Sequence, residues 1–181
     1  MKTELNFTIP VDLLMAVINF SAVKDVRYYL IGVHVKHGMI EATNGHCAGR
    51  FTDERITVEG AVDAAGKPAE GFILSLAQAK ELIKKWAGHG IVVCNGGISG
   101  TVVIDPVNGK YVDIDRAIPK EVSGECAQFD PELLMLFKKA SKVFNKFGYI
   151  VVKYNGEIAP ARVLMPGVPS FLGLIAPWRP E

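Results

Sequence analysis

The chain has 181 residues, 49% of them hydrophobic and 22% charged, enough to bury a core in one or two globular domains and unlike a disordered chain. Its formal net charge of +1 gives no global drive toward nucleic acid or a membrane, so any electrostatic function must come from local clusters. The longest strictly apolar run, Leu13 to Ile18, falls far short of the ~20 residues that span a bilayer.

From about residue 4 to 60, 70 to 117 and 124 to 179 the chain repeats one pattern: an apolar strand, an amphipathic helix, then three strands. In the first repeat Leu5, Phe7 and Ile9 alternate as a strand, and Pro10 stands at a helix start, where its missing N–H does no harm. Leu13, Leu14, Val17 and Ile18 follow at helical spacing, and residues 28–36, 38–44 and 47–58 read as strands, with a tight turn at Lys36-His37-Gly38. The Gly-, Ala- and Pro-rich stretch Gly60 to Gly71 is the connection to the second repeat. There the spacing predicts a helix from Ser75, an N-cap with Gln78 three residues on, to about Gly88. Strands are expected over 91–94, 101–105 and 110–114, with Asn95-Gly96-Gly97 and Asn108-Gly109 as hairpin turns. The third repeat opens with Ala127-Gln128-Phe129, caps its helix with Asp130 and Pro131, and ends in strands over 149–154, 161–165 and 171–175. Leu133, Leu134, Phe137, Ala140 and Phe144 form the apolar stripe of that helix. Helices carried by antiparallel meanders make the fold α+β, and such units need a neighbour to bury their cores.

Few residues suggest catalysis. No P-loop, HExxH, GxSxG or paired-carboxylate pattern is present, so no enzyme activity and no cofactor are expected. Cys47, Cys94 and Cys126 are odd in number and lack CxxC spacing, which argues against a disulfide framework or zinc knuckle and for reduced, mostly buried thiols. His46 and Cys47 are strand neighbours pointing to opposite faces, so they cannot form a nucleophile–base pair with each other. His34 and His37, three apart near a turn, have no diagnostic metal spacing. Lys80, Lys84 and Lys85 on the second helix and Lys138, Lys139, Lys142 and Lys146 on the third are either a solvated face or a track for phosphates. Glu4 and Asn6 lie where a secretory signal would need its apolar stretch, so a cytoplasmic site is expected.

Four stretches in order carry a resemblance. KDVRYYLIGVHV (24–35) and EATNGHCAGRF (41–51) resemble the middle domain of the bacterial sliding clamp, the beta subunit of DNA polymerase III, which reads DVRYYLNG and then ATDGHRL. YVDIDRAIPK (111–120) is similar to the family's FPDYRRVLPK, and LIAPWR (174–179) to its closing VMPMRL. The resemblance implies a clamp fold, with residues 1–120 as a complete domain of two half units joined near 60–70 and 121–181 as half of another. Clamps are rings whose helices line a DNA-sized hole, which would give the lysine faces a purpose.

The resemblance also implies a pocket for linear peptides of DNA polymerase, the clamp loader or repair proteins. The matching positions are Leu30, Thr43, Gly45, His46, Val112, Arg116, Ala117, Leu174, Pro177, Trp178 and Arg179. Leu30, Val112, Ala117, Leu174 and Trp178 would form an apolar slot, and Arg116 and Arg179 would offer donors to a peptide backbone or carboxylate. Cys47, Val112, Ala176 and Trp178 depart from the family's residues. The expectation is a sliding-clamp-like replication or repair accessory protein that binds such peptides and, as a homo-oligomer associating through the third repeat, duplex DNA. The alternative is a decoy or regulator of a host clamp that competes for its partners without encircling DNA. No membrane partner is expected.

Overall fold

The computed structural model describes residues 4–63 and 65–179. The elements run β1 (Asn6–Pro10), α1 (Val11–Val17), β2 (Gly32–Lys36), β3 (Met39–Thr43), β4 (Cys47–Thr52), β5 (Thr57–Glu59), β6 (Gly71–Ser75) and α2 (Leu76–Trp86). They continue with β7 (Ile91–Cys94), β8 (Ile98–Ser99), β9 (Val102–Val103), α3 (Pro131–Ser141), β10 (Val151–Lys153), β11 (Ala161–Leu164) and β12 (Phe171–Ile175). All strand pairs in the two larger sheets are antiparallel, and the fold is α+β.

The helices start where local chemistry permits. Ser75 Oγ accepts from the Gln78 N–H at 3.2 Å, and Asp130 from the Glu132 N–H at 2.8 Å with Pro131 at the first helical position. α1 is buried on most sides, at Val11, Leu13, Leu14, Ala16 and Val17, because it packs against both α2 and α3.

The repeats exchange their opening strands. β1, from the first repeat, pairs with β7 of the second, Phe7 opposite Cys94, and β6 of the second pairs with β2 of the first, Val33 opposite Leu74. The resulting sheets run β5-β1-β7 and β10-β11-β12-β4-β3-β2-β6. The longer one joins the third repeat to the first through β12 and β4. Phe51, Phe171, Ile175, Val33, Val35 and Leu74 turn one face of it toward the helices and into the main core.

At that seam Gly173 stands opposite Gly49. The absence of a side chain is required: a Cβ on Gly49 would lie 2.3 Å from the Phe20 ring, and one on Gly173 would lie 2.6 Å from Phe137. Phe20 and Phe137 meet at 4.8 Å between centroids, above the glycine pair.

Several expectations need correcting. Tyr28–Leu30 is a 3-10 turn rather than strand, closed by Leu30 N–H to Arg27 O at 2.8 Å and Ile31 N–H to Tyr28 O at 3.1 Å. The span 47–58 is two strands in different sheets, because Asp53 turns the chain by accepting from the Arg55 N–H and guanidinium. The strand expected at 101–105 shortens to β9, in a hairpin with β8. Residues 110–114 form no strand: Tyr111 and Ile114 lay their side chains on a sheet face while the backbone pairs with nothing in a ladder. The opening segment of the third repeat, 127–129, is likewise not a strand, though the Gln128 carbonyl accepts from Trp178 N–H at 2.7 Å. α3 ends at Ser141, so Lys142 is its C-cap and Lys146 lies in the following turn. Cys126 is exposed, unlike Cys47 and Cys94.

Candidate functional site

Alternation along a strand sends neighbouring residues to opposite faces, so the sheet face turned away from the helices is set by the same register that builds the core. Leu174 and Ala48 are paired across the seam and point to this outer face. With Ile73, Tyr111 and Ile114 they form a second buried apolar cluster, against which Tyr29, Val107, Val112 and Ile118 pack. The segment bearing Tyr111 is fixed at both ends. The Val107 N–H donates to Ile73 O at 2.9 Å, and Asp113 caps the 3-10 turn Ile114–Ala117 through the Asp115 N–H. Further on, Arg162 of β11 donates to the carbonyls of Pro119 and Lys120, tying the connection to the third repeat across the outer face.

Tyr111 anchors the site. Its hydroxyl accepts from the Thr43 N–H at 3.0 Å, its ring stacks on His34 with centroids 4.8 Å apart, and burial pushes its phenol well above the usual range. Thr43 Oγ1 donates to the Cys47 carbonyl at 2.7 Å and accepts from the Gly45 N–H at 3.1 Å. Asn44 Oδ1 accepts from the N–H groups of His46 and Cys47, each at 2.9 Å. This self-capped turn, with Gly45 at φ +90°, leaves His46 in solvent and Cys47 in the core. Burial pushes the Cys47 thiol up to about 12, which leaves it the wrong protonation state for a nucleophile. The Ala176 N–H donates to the His46 carbonyl at 2.8 Å, bringing Pro177 and Trp178 alongside the turn.

A charged belt lies beside the apolar cluster. Buried Glu41 receives His34 Nδ1 at 2.9 Å and Arg50 at 2.7 Å, and Arg50 also reaches Asp115 at 2.5 Å. Burial opposes the Arg50 charge, but Asp115 and Glu41 outweigh it and hold the guanidinium protonated, while the Arg50 hydrogen bond lowers the Asp115 carboxyl. At the Gly45 turn, Arg27 comes within reach of the glycine's missing Cβ, and its hydrogen bonds hold Asp25 at about 2.

Of the expected peptide-site residues, Thr43, Gly45, His46, Val112, Leu174 and Pro177 are brought together at the seam. Leu30 is buried at the end of its 3-10 turn, outside the apolar cluster. Arg116 and Ala117 are exposed on the 3-10 turn at the rim, where Arg116 Nε donates to Asp113 at 3.1 Å. Trp178 is 52% exposed. Arg179 donates to Ile158 O at 2.8 Å and is held on the β10–β11 loop rather than by the cluster. A cleft of about 990 Å³ opens farther along the same face, between β2, β6 and residues 106–116, and only Val112 and Arg116 of the expected set line it. Ala48, Tyr111 and Ile114 were not picked out from sequence. The available signal was Leu174 itself, since an outward residue on β12 needs a small partner opposite.

The seven lysines are all exposed, and among the described residues none is in an ion pair. Lys80 and Lys84 follow one solvent face of α2, whereas Lys85 lies along the β8–β9 hairpin with its side chain against Gly100. Among the described residues no group of three or more His, Cys, Asp or Glu side chains is placed to hold a metal, and no helix is long and apolar enough to cross a membrane.

Comparison with solved structures identifies this architecture. The DNA polymerase sliding clamp from Bacillus subtilis matches with a TM-score of 0.66 at 15% identity, over 97% of this chain and 64% of that one. The chain has the sliding-clamp fold. The sliding clamp from Pseudomonas aeruginosa gives a TM-score of 0.61 at 15% identity, over 97% of this chain and 67% of that one. The DNA polymerase III subunit beta from Borrelia burgdorferi, in complex with a natural product, gives 0.67 at 16% identity, over 97% and 64%. This chain therefore spans about two thirds of the length of the clamps it matches. No protein-family model and no curated protein matches its sequence. Placed on the clamp fold, the outer seam belongs to the sheet wall and the lysine-bearing helices to the opposite layer.

Proposed function

We propose that this protein is a non-catalytic, clamp-like accessory protein of DNA replication or repair, working in the cytoplasm, whose outer seam binds linear peptides of DNA polymerase, clamp loader or repair proteins. The observation that carries the reading is the convergence of Thr43, Val112 and Leu174 on one apolar floor built across all three repeats, with exposed Arg116 at its rim. An apolar slot with a few polar groups at its edge suits an extended peptide, whose side chains fill the slot while donors fix its backbone or carboxylate. In this reading residues 1–120 act as a complete clamp-like domain and 121–181 as half of another. The protein works as a homo-oligomer that holds duplex DNA against Lys80, Lys84, Lys85, Lys138, Lys139, Lys142 and Lys146.

The test is titration of a fluorescent clamp-binding peptide, with Trp178 emission as a second signal. Saturable binding that is lost in Arg116→Glu while the variant stays folded is the expected result; equal affinity in both would remove the pocket assignment. Duplex DNA binding is expected to weaken steeply with salt, and replacing a lysine that contacts a phosphate lowers the salt slope by about one. Mass in solution distinguishes a DNA-encircling oligomer from a monomeric competitor for clamp partners.

A further inference from the structure

The third repeat lacks what the first two give each other. β2 and β7 are the first meander strands of their repeats, and each is covered on its outer edge by the other repeat's opening strand, β6 or β1. β10 is the corresponding strand of the third repeat, and it ends the long sheet, paired with β11 alone. Around it Phe147, Tyr149 and Val151 are 63%, 60% and 40% exposed. A free edge flanked by apolar side chains is a template for another strand.

The opening segment of the same repeat joins no ladder, and within the chain its Phe129 packs partly buried against the main core beside the Tyr154 ring, at 6.0 Å between centroids. Phe129 precedes the N-cap Asp130 as Leu74 precedes Ser75 and Ile9 precedes Pro10, and both of those residues point into the core. On one side the segment is held as β1 is held by β5, through the Trp178 N–H to Gln128 O. Glu125 O accepts from the Gly156 N–H at 2.9 Å, just past β10, as Leu5 O accepts from the Gly97 N–H at 2.8 Å, just past β7. The Leu5 contact joins two repeats, whereas the Glu125 contact is made within one. An open edge and an opening segment on the same repeat are self-complementary about a two-fold axis.

We infer that a second copy of this chain covers the β10 edge, each copy laying residues 127–129 on β10 of the other, so that two third repeats build one complete two-repeat unit. The pleat sets the parity: Phe129 must stand opposite Ile150 or Val152, the residues that pack toward the core. The exchange moves the Glu125–Gly156 and Gly124–Tyr154 backbone contacts, and the Phe129–Tyr154 ring contact, from within a chain to between chains without changing their chemistry. It gives the oligomer of the reading above a specific interface and rests on that reading only there; peptide titration read from the labelled peptide with Arg116→Glu as control, rather than from Trp178 beside the exchanged segment, reports separately.

Sedimentation and cross-linking of the full chain test this. The expected species has twice the 19.7 kDa chain mass, and Phe129→Glu should weaken its association about tenfold or more, through loss of a buried aromatic and burial of a charge. Because that variant could misfold, Lys153→Cys and Asn155→Cys, each alongside the native Cys126, supply an independent readout on a non-reducing gel: mild oxidation should yield a disulfide-linked dimer with the first where Phe129 faces Ile150, and with the second where it faces Val152. A 19.7 kDa species at every concentration, or a dimer indifferent to Phe129→Glu in which neither Lys153→Cys nor Asn155→Cys links Cys126 between chains, would overturn the inference.

Discussion

The Tyr111 hydroxyl accepts a hydrogen bond from the backbone N–H of Thr43 at 3.0 Å, joining a segment with no strand pairing of its own to the sheet face opposite the helices. Tyr111→Phe keeps the ring and its stacking on His34 but leaves a buried N–H unpaired, which costs about 1–3 kcal/mol. Urea denaturation should show a lower midpoint with unchanged slope. An unaltered midpoint would mean that water replaces the phenol there.

Arg50 lies between a buried and an exposed carboxylate, and the two should respond differently. Arg50→Met leaves Glu41, which is 2% exposed, without its guanidinium and with His34 as the partner that remains, and a loss of about 3–5 kcal/mol is expected. Asp115→Asn should cost under about 1 kcal/mol, because its side chain is mostly in solvent and its attraction to Arg50 is screened. The Asp115 carboxyl is lowered by Arg50, so its contribution is complete above the ordinary 3.8 and fades as pH falls through the lower folded value. Stability curves of wild type and Asp115→Asn should therefore converge on acidification below that point and run parallel above it.

A methyl group at the seam tests the joint between the first and third repeats. Gly49→Ala drives a Cβ against the Phe20 ring and should cost about 1–3 kcal/mol by overpacking. Phe20→Leu in the same chain should recover part of the loss, a coupling that a double-mutant cycle would measure. Simple additivity of the two changes would place the Phe20 ring elsewhere in solution.

The thiols should fall into two classes. Cys126 is exposed, whereas burial pushes Cys47 up to about 12 and Cys94 up to about 11. One rapidly alkylated thiol per native chain, rising to three in denaturant, is the expected count in a timed maleimide reaction.

Local signals made much of this legible. Ser75-x-x-Gln78 and Asp130-Pro131 placed two helix starts correctly, since capping depends on a few adjacent atoms. The alternation of Phe7 and Ile9 marked β1, and the apolar runs after each helix located β2, β3, β7, β11 and β12. What failed was pairing at a distance. The apolar residues of 110–114 look like a strand, but they cover a sheet face instead of joining an edge, and periodicity cannot tell those two uses apart. The exchange of β1 and β6 between repeats has no local signature. At the candidate site Thr43, Val112 and Leu174 lie about the same outer cluster, while Tyr111 and Ala48 carry no local signal because their importance comes from what lies opposite them.

The seam has a consequence for how the chain is made. Thr52 Oγ1, at the end of β4, donates to the carbonyl of Ser170, 118 residues further on, and β4 has no partner on that side until β12 exists. At a synthesis rate of about 5–20 residues per second, the β4 edge emerges from the ribosome roughly 6–24 s before its partner. During that interval Phe51 and the Phe20 ring over Gly49 lack their cover, so nascent chains are most vulnerable to cross-pairing with one another at β4. Slow assembly of this long-range pairing, rather than a weak core, is then the step at which a chaperone would improve the yield of folded protein.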